Sequence, residues 1–99
     1  TDIVIEIGSG TGSLTELICN KAKKTVCIEI DSELAEFIRR KKLKNTEVKN
    51  FDILKYKLDY IDDAIVIGNL PYNITTPIIF KFLRIYTNLI LFLFLNFLI

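Results

Sequence analysis

A chain of 99 residues, 51% of them hydrophobic, has room for one small domain, and a mean hydropathy of +0.36 excludes a disordered tail. Thirteen basic against 12 acidic residues leave a formal charge of +1, so bulk electrostatics select neither a nucleic-acid coat nor a membrane-surface protein. With no histidine and only Cys19 and Cys27, the chain lacks the ligands for a structural zinc site, and no metal is expected.

The two cysteines are read as reduced, buried and structural, as in an intracellular protein. No methionine is present, so residue 1 is read as an internal position of a longer chain whose targeting segments are out of view.

Ile3, Val4, Ile5 and Ile7 form an apolar run that stops at a cluster of glycines, the pattern of a strand buried on both faces. Ser13-Leu14-Thr15-Glu16 then has the S-x-x-E spacing of a capping box and predicts a helix to about Ala22. Residues 25–30 are a second β-rich run. Asp31-Ser32 opens a second helix, with Leu34, Ala35, Phe37 and Ile38 expected to face inward.

Glu33 and Glu36 fall early in that helix and Arg39, Arg40, Lys41, Lys42 and Lys44 late, an order that complements the helix dipole. A solvated helix end therefore accounts for the basic cluster, with RNA contact as the alternative. Residues 46–49 and 64–67 read as a third and a fourth strand, the fourth ending at Gly68. A helix over 78–85 and a fifth buried strand over 89–95 complete the pattern. The last stretch is interrupted by Tyr86, Thr87, Asn88 and Asn96, whereas a membrane-spanning helix needs about 20 apolar residues, so no membrane partner is expected.

Alternating strands and helices, with strands rich in isoleucine and valine, predict an α/β fold: a doubly wound parallel sheet with helices on both faces and right-handed crossovers. Such sheets bind ligands at the carboxyl ends of their strands. Gly8, Glu29, Asp52 and Asn69 each fall at or just after the end of a separate strand.

In Glu6-Ile7-Gly8-Ser9-Gly10-Thr11-Gly12 the glycines let the backbone turn sharply and let a ligand approach the main chain. The spacing is G-x-G-x-G rather than the G-x-G-x-x-G of a pyrophosphate binder, which suits a ligand without phosphates; a purely structural turn is the alternative. Glu29, 21 residues beyond Gly8, stands where nucleotide-binding folds place an acid against the ribose hydroxyls. Read alone, it is equally a helix-terminal acid beside Asp31. Asp52 can accept from the exocyclic amine of an adenine, or simply close a turn.

Asn69-Leu70-Pro71-Tyr72 places a side-chain amide, a carbonyl held by the following proline and an aromatic ring in succession. If the Asn69 amide oxygen and the Leu70 carbonyl both accept from an aromatic amine, its lone pair is drawn out of conjugation and becomes nucleophilic. Tyr72 can stack on the base. The bland alternative is an Asn-x-Pro turn with Tyr72 in the core.

Glu6 to Gly12, Ile28-Glu29-Ile30-Asp31 and above all Asn69-Leu70-Pro71-Tyr72-Asn73-Ile74-Thr75-Thr76-Pro77 resemble the small-subunit rRNA adenine N6,N6-dimethyltransferases, the KsgA type. The resemblance covers residues 2 to about 84. It implies a Rossmann-like class I methyltransferase fold, with S-adenosyl-L-methionine as cofactor and small-subunit rRNA, or the pre-ribosomal small subunit, as partner.

Under it, Glu6, Gly8 and Gly10 belong to the cofactor loop, Glu29 holds the ribose, and Asp52 with the Ile53 backbone reads the adenine. Asn69 and the Leu70 carbonyl orient the target amine beside the cofactor, Pro71 fixes that carbonyl, and Tyr72 stacks on the target base. The segment 1–99 then corresponds to part of the catalytic domain. The family's upstream glutamine-asparagine-phenylalanine-leucine segment and its C-terminal helical domain are not within it, and residues 89–99 depart from the family, Asn96-Phe97-Leu98-Ile99 being apolar where the family follows its fifth strand with a polar Gln-Lys-Glu stretch. Activity is accordingly expected of the longer protein, with this segment alone weak or inactive.

Three other readings compete: a methyltransferase for another adenine, a non-catalytic rRNA- or DNA-binding relative that keeps the fold, and a nicotinamide-binding domain. The glycine spacing disfavours the last, which also has no use for Asn69 to Tyr72.

Overall fold

The computed structural model describes residues 2–55, 64–70 and 90–95. Five strands, β1 (Ile3–Ile7), β2 (Lys24–Ile28), β3 (Thr46–Lys49), β4 (Ala64–Leu70) and β5 (Ile90–Leu95), form one sheet in the order β3-β2-β1-β4-β5, with every pairing parallel. Ile5 lies between Val26 and Val66, and these three are almost wholly enclosed. Val4 to Ile7 are buried without alternation, as in a strand covered on both sides.

Two helices are described, α1 (Ser13–Ile18) and α2 (Ser32–Arg40). Right-handed crossovers from β1 to β2 and from β2 to β3 put both on one face. The expected helix over 78–85 lies outside the described residues. Since β2 and β4 flank β1 on opposite sides, the strand order reverses between β1 and β4, and the crevice at that reversal is the usual ligand site of such sheets.

Four local expectations change. Gly12, at φ 85, is the N-cap of α1 and makes no side-chain cap bond, so the S-x-x-E pattern does not form a capping box. Ser13 Oγ instead lies 3.2 Å from Thr11 Oγ1, and Glu16 pairs with Lys41 at 2.9 Å. Regular α1 stops at Ile18 rather than near Ala22, because the Cys19 thiol and the Asn20 amide both donate to the Glu16 carbonyl and the chain turns there. Phe37 is 49% exposed, with the Lys41 ammonium 5.0 Å from its ring centre; Ala35 and Ile38 are the residues α2 buries.

The fourth change is the length of β4, which runs through Gly68 to Leu70 because β5 keeps pairing with it, Asn69 opposite Phe94 and Leu70 opposite Leu95. The expected fifth strand is thus present, and β3 has the predicted bounds. Asp31 caps α2 as expected, its Oδ1 accepting from the amides of Glu33 and Leu34. Both cysteines are free and buried. Among the described residues, no helix is long and apolar enough to cross a membrane.

Candidate functional site

The loop from Gly8 to Gly12 turns through three left-handed glycines, with φ of 74 at Gly8, 57 at Gly10 and 85 at Gly12. Their roles differ. A Cβ on Gly12 would come within 3.2 Å of Ile38 Cγ1, so that glycine lets α1 approach α2. A Cβ on Gly10 would meet nothing within 4 Å, so Gly10 faces open space at the sheet edge. Packing does not require a glycine there, whereas the left-handed backbone favours one.

Glu29 ties the first two βα turns together. Its Oε1 accepts from the Gly10 amide at 2.8 Å and its Oε2 from the Asp31 amide at 3.0 Å, while the residue is 5% exposed. Each carboxylate oxygen has two acceptor positions, so both retain capacity for a hydroxyl. Asn50 extends the tie to the third strand, its Nδ2 donating to the carbonyls of Glu29 and Ile30 at 2.9 and 3.1 Å. The sequence reading assigned Asn50 no role, because no motif links it to Glu29, 21 positions away.

Beside Glu29, a cleft of about 90 Å³ is lined by Ile7, Gly8, Ile28, Ile30, Phe51, Asp52 and Ile53. Its walls are mainly aliphatic and aromatic, with one carboxylate at the rim, a lining suited to a planar heterocycle with an amino group. Asp52 Oδ1 accepts from the Leu54 amide at 2.9 Å and closes a turn, so the turn role weighed for Asp52 is real. Oδ2, and the second acceptor position of Oδ1, are left for a ligand. A far larger cavity of about 700 Å³ opens at the amino ends of β1 and β4, lined by Val4, Leu17, Ile18 and Ile65 among others. None of the predicted site residues lines it, and we place the site at the carboxyl edge, where these residues converge.

Glu6 lies beneath the glycine loop rather than in the cleft. Only 3% exposed, its carboxylate accepts a short hydrogen bond from the Thr15 hydroxyl and faces the Cys27 thiol, with Sγ 4.0 Å from Oε1. Burial raises its pKa, the Thr15 and Ser9 hydroxyls oppose that rise, and the charge of Glu29 adds to it. Burial likewise pushes the Cys27 thiol up, as befits a structural cysteine. Thr15, fully enclosed, also went unrecognised in the sequence, where it reads as one more position of α1.

A carboxyl whose folded pKa is raised binds its proton more tightly in the native state, so the fold loses stability as pH climbs from the ordinary carboxylate range through the folded value. Thr15→Val removes the hydroxyl that supports the charged form. It is expected to cost about 1–3 kcal/mol at neutral pH, shrinking as Glu6 takes up its proton. Urea unfolding at pH 7 and pH 5 checks this; an equal loss at both would sink it.

Asn69 and Leu70 are the last residues of β4, on the strand next to β1, where Ile7 pairs with Gly68 one residue before Asn69 and one before Gly8. The chain therefore brings the start of the Asn69 to Tyr72 segment to the strand reversal beside the glycine loop. Pro71 and Tyr72 lie outside the described residues.

The parallel sheet, the glycine turn and the acid bridging it define a Rossmann-like α/β domain of the class I methyltransferase type. The profile of the family described as Ribosomal RNA adenine dimethylase matches residues 1–95, and the chain belongs to that family. A Mycoplasma mobile protein named Ribosomal RNA small subunit methyltransferase A is 47% identical over 79 residues, covering 79% of this chain and 31% of that protein. A Methanopyrus kandleri protein named as a probable member of the same group is 39% identical over 87 residues, or 85% of this chain and 31% of that one.

Among solved structures, a dimethyladenosine transferase from Plasmodium falciparum superposes with a TM-score of 0.74 at 36% identity, over 85% of this chain and 31% of that one. The 23S rRNA methyltransferase ErmE gives 0.77 at 31% identity, over 89% of this chain and 36% of that one. The chain spans about a third of the length of the relatives it matches.

Proposed function

We propose that the protein to which this chain belongs is an rRNA adenine N6,N6-dimethyltransferase, moving methyl groups from S-adenosyl-L-methionine to the exocyclic amines of adenosines in small-subunit rRNA, within the pre-ribosomal small subunit. The observation that carries this reading is Glu29 bridging the Gly10 and Asp31 amides beside the cleft that Asp52 lines. Family membership and the names of the relatives support the choice of reaction and substrate.

The residues fit the cofactor on their own terms. An open left-handed glycine receives a group that a Cβ would obstruct, a buried acid with spare acceptor positions suits a ribose diol, and an apolar slot with an acid at its rim suits adenine. Glu29, Asp31, Glu33 and Asp52 make this edge acidic, which favours a ligand carrying a positive charge. When bound, S-adenosyl-L-methionine supplies an electrophilic methyl on a sulfonium with a neutral leaving group.

The chain's own contribution is placement. Gly8 and Gly10 leave room for the methionine part, Glu29 fixes the ribose, and Asp52 with Ile53 holds the adenine; Glu6 keeps the loop seated from below. Asn69 and the Leu70 carbonyl accept from the target amine and turn its lone pair toward the methyl, Pro71 restrains that carbonyl, and Tyr72 stacks on the base. No general base is required, because the methylated amine sheds its proton to water, and the rate gain rests on proximity and orientation. Stacked adenosines have to be turned out of their helix to reach such a pocket.

The test is methyl transfer by the full-length protein to unmethylated small ribosomal subunits, with dimethyladenosine identified by mass spectrometry. Dimethyladenosine formed only with the cofactor is the expected result. Saturable cofactor binding without any transfer would instead favour the non-catalytic relative.

A further inference from the structure

The acidic carboxyl edge raises a question about RNA. Glu29, Asp31, Glu33 and Asp52 suit a cationic cofactor and repel phosphates, and Lys49 and Lys55 offset them only in part, so a second, basic surface would help to hold RNA. Parallel strands put the turns that precede β2 and β3 together at the opposite, amino edge. These turns touch through the Thr25 amide, which donates to the Asn45 carbonyl at 2.9 Å, and a shallow concavity of about 410 Å³ lies between them, lined by Lys23, Lys24, Asn45, Thr46 and Glu47.

Residues 19–24 and 41–45 hold six lysines and no acid, although the whole chain carries a net charge of only +1. Two of the six are engaged, Lys24 with Glu47 at 3.3 Å and Lys41 with Glu16 at 2.9 Å. Lys21, Lys23, Lys42 and Lys44 are exposed and have no acidic partner among the described residues. The arginines of the same basic run differ: Arg39 and Arg40 both pair with Glu36, and Arg39 also donates to the Val48 carbonyl. A solvated helix end accounts for those arginines and leaves the lysines beyond them unexplained.

Lys42 adds an independent observation. It stands just past the end of α2 at φ 50, the left-handed position where helices usually place glycine, with its amide on the Arg39 carbonyl at 3.1 Å. A left-handed backbone conformation that disfavours side chains carries one of the longest here, whereas Asn45, at φ 49 in the same turn, is a residue type that tolerates it, and strain of this kind gathers where a side chain has a task.

Resting on the reading of the protein as an rRNA methyltransferase, we infer that Lys21, Lys23, Lys42 and Lys44 form a docking surface for RNA phosphates at the sheet edge opposite the cofactor. Strands of this length set the two edges about 15 Å apart. Phosphates recur every few ångströms along a strand, so one folded RNA spans that distance with a base at the acidic edge and its backbone at the basic one.

Two variants of the full-length protein test this, with unmethylated small ribosomal subunits as the probe. Lys42→Gly is expected to raise the urea midpoint, by relieving the left-handed backbone, and yet to weaken subunit binding about two- to fivefold, one phosphate contact being lost. The quadruple Lys21→Gln, Lys23→Gln, Lys42→Gln, Lys44→Gln variant is expected to bind at least tenfold more weakly near 0.1 M salt. Its slope of log affinity against log salt should flatten by about 3, at 0.7–0.9 per phosphate, with cofactor affinity unchanged. Wild-type affinity and slope in the quadruple variant, alongside normal methylation by the parent protein, would overturn the inference and leave the proposed function standing. No methylation of subunits by the parent protein would overturn the function itself, and this surface with it.

Discussion

Asn69→Ala in the full-length protein is expected to lower kcat for subunit methylation by about 10²–10³-fold, the scale of losing one positioned hydrogen-bonding group at a reacting centre. Asn69 is the last residue but one of β4, one residue beyond the Gly68 that pairs with Ile7, so its position is set by the sheet rather than by a loop. The amide oxygen is the only acceptor of that side chain, and alanine deletes it while leaving the backbone pairing in place. Since the contacts proposed for the ribose and the adenine come from Glu29, just after β2, and from the chain after β3, cofactor affinity should fall far less than kcat. Single-turnover transfer with saturating cofactor separates the two. A rate within about threefold of wild type would remove Asn69 from the chemistry.

The strands were legible because their runs of isoleucine and valine have no helical alternative of comparable length, and β3 and the Asp31 cap of α2 follow expectation for the same local reasons. What escaped the sequence depends on partners far away. Glu16 belongs to a capping pattern by spacing, but Lys41 on the second helix takes it. Phe37 has the period of a buried residue, yet its ring lies half exposed beneath a lysine. Gly68 looks like the end of a strand in isolation, yet it pairs with Ile7 of β1, and pairing with β5 carries the strand on through Asn69 and Leu70.

The candidate site shows the same division. The positions of Gly8, Glu29 and Asp52 at or just after strand ends could be read directly. The bridge between the Gly10 and Asp31 amides, the Asn50 tie and the Thr15 support under Glu6 join residues 9 to 21 positions apart, and no periodicity announces such contacts.

Glu29→Ala is expected to weaken S-adenosyl-L-methionine binding about 100-fold or more, by removing the carboxylate proposed to hold the ribose, which also anchors two turns. A hydrogen bond to a charged group contributes about 1.5–3 kcal/mol, and two such bonds to a diol exceed the roughly 2.7 kcal/mol that a 100-fold change requires. The same substitution frees the Gly10 and Asp31 amides, now bonded at 2.8 and 3.0 Å, so the glycine loop loses its fixed shape. Glu29→Gln separates the two roles. It keeps the size and one acceptor oxygen, but its amino group meets one of those two amides donor to donor, so loop and ribose are each half supported. Calorimetric titration of both variants, with circular dichroism confirming that each is folded, should order the affinities wild type, glutamine, alanine. Alanine binding within about threefold of wild type would mean that the bridge shapes the loop and that the ribose is held by something else.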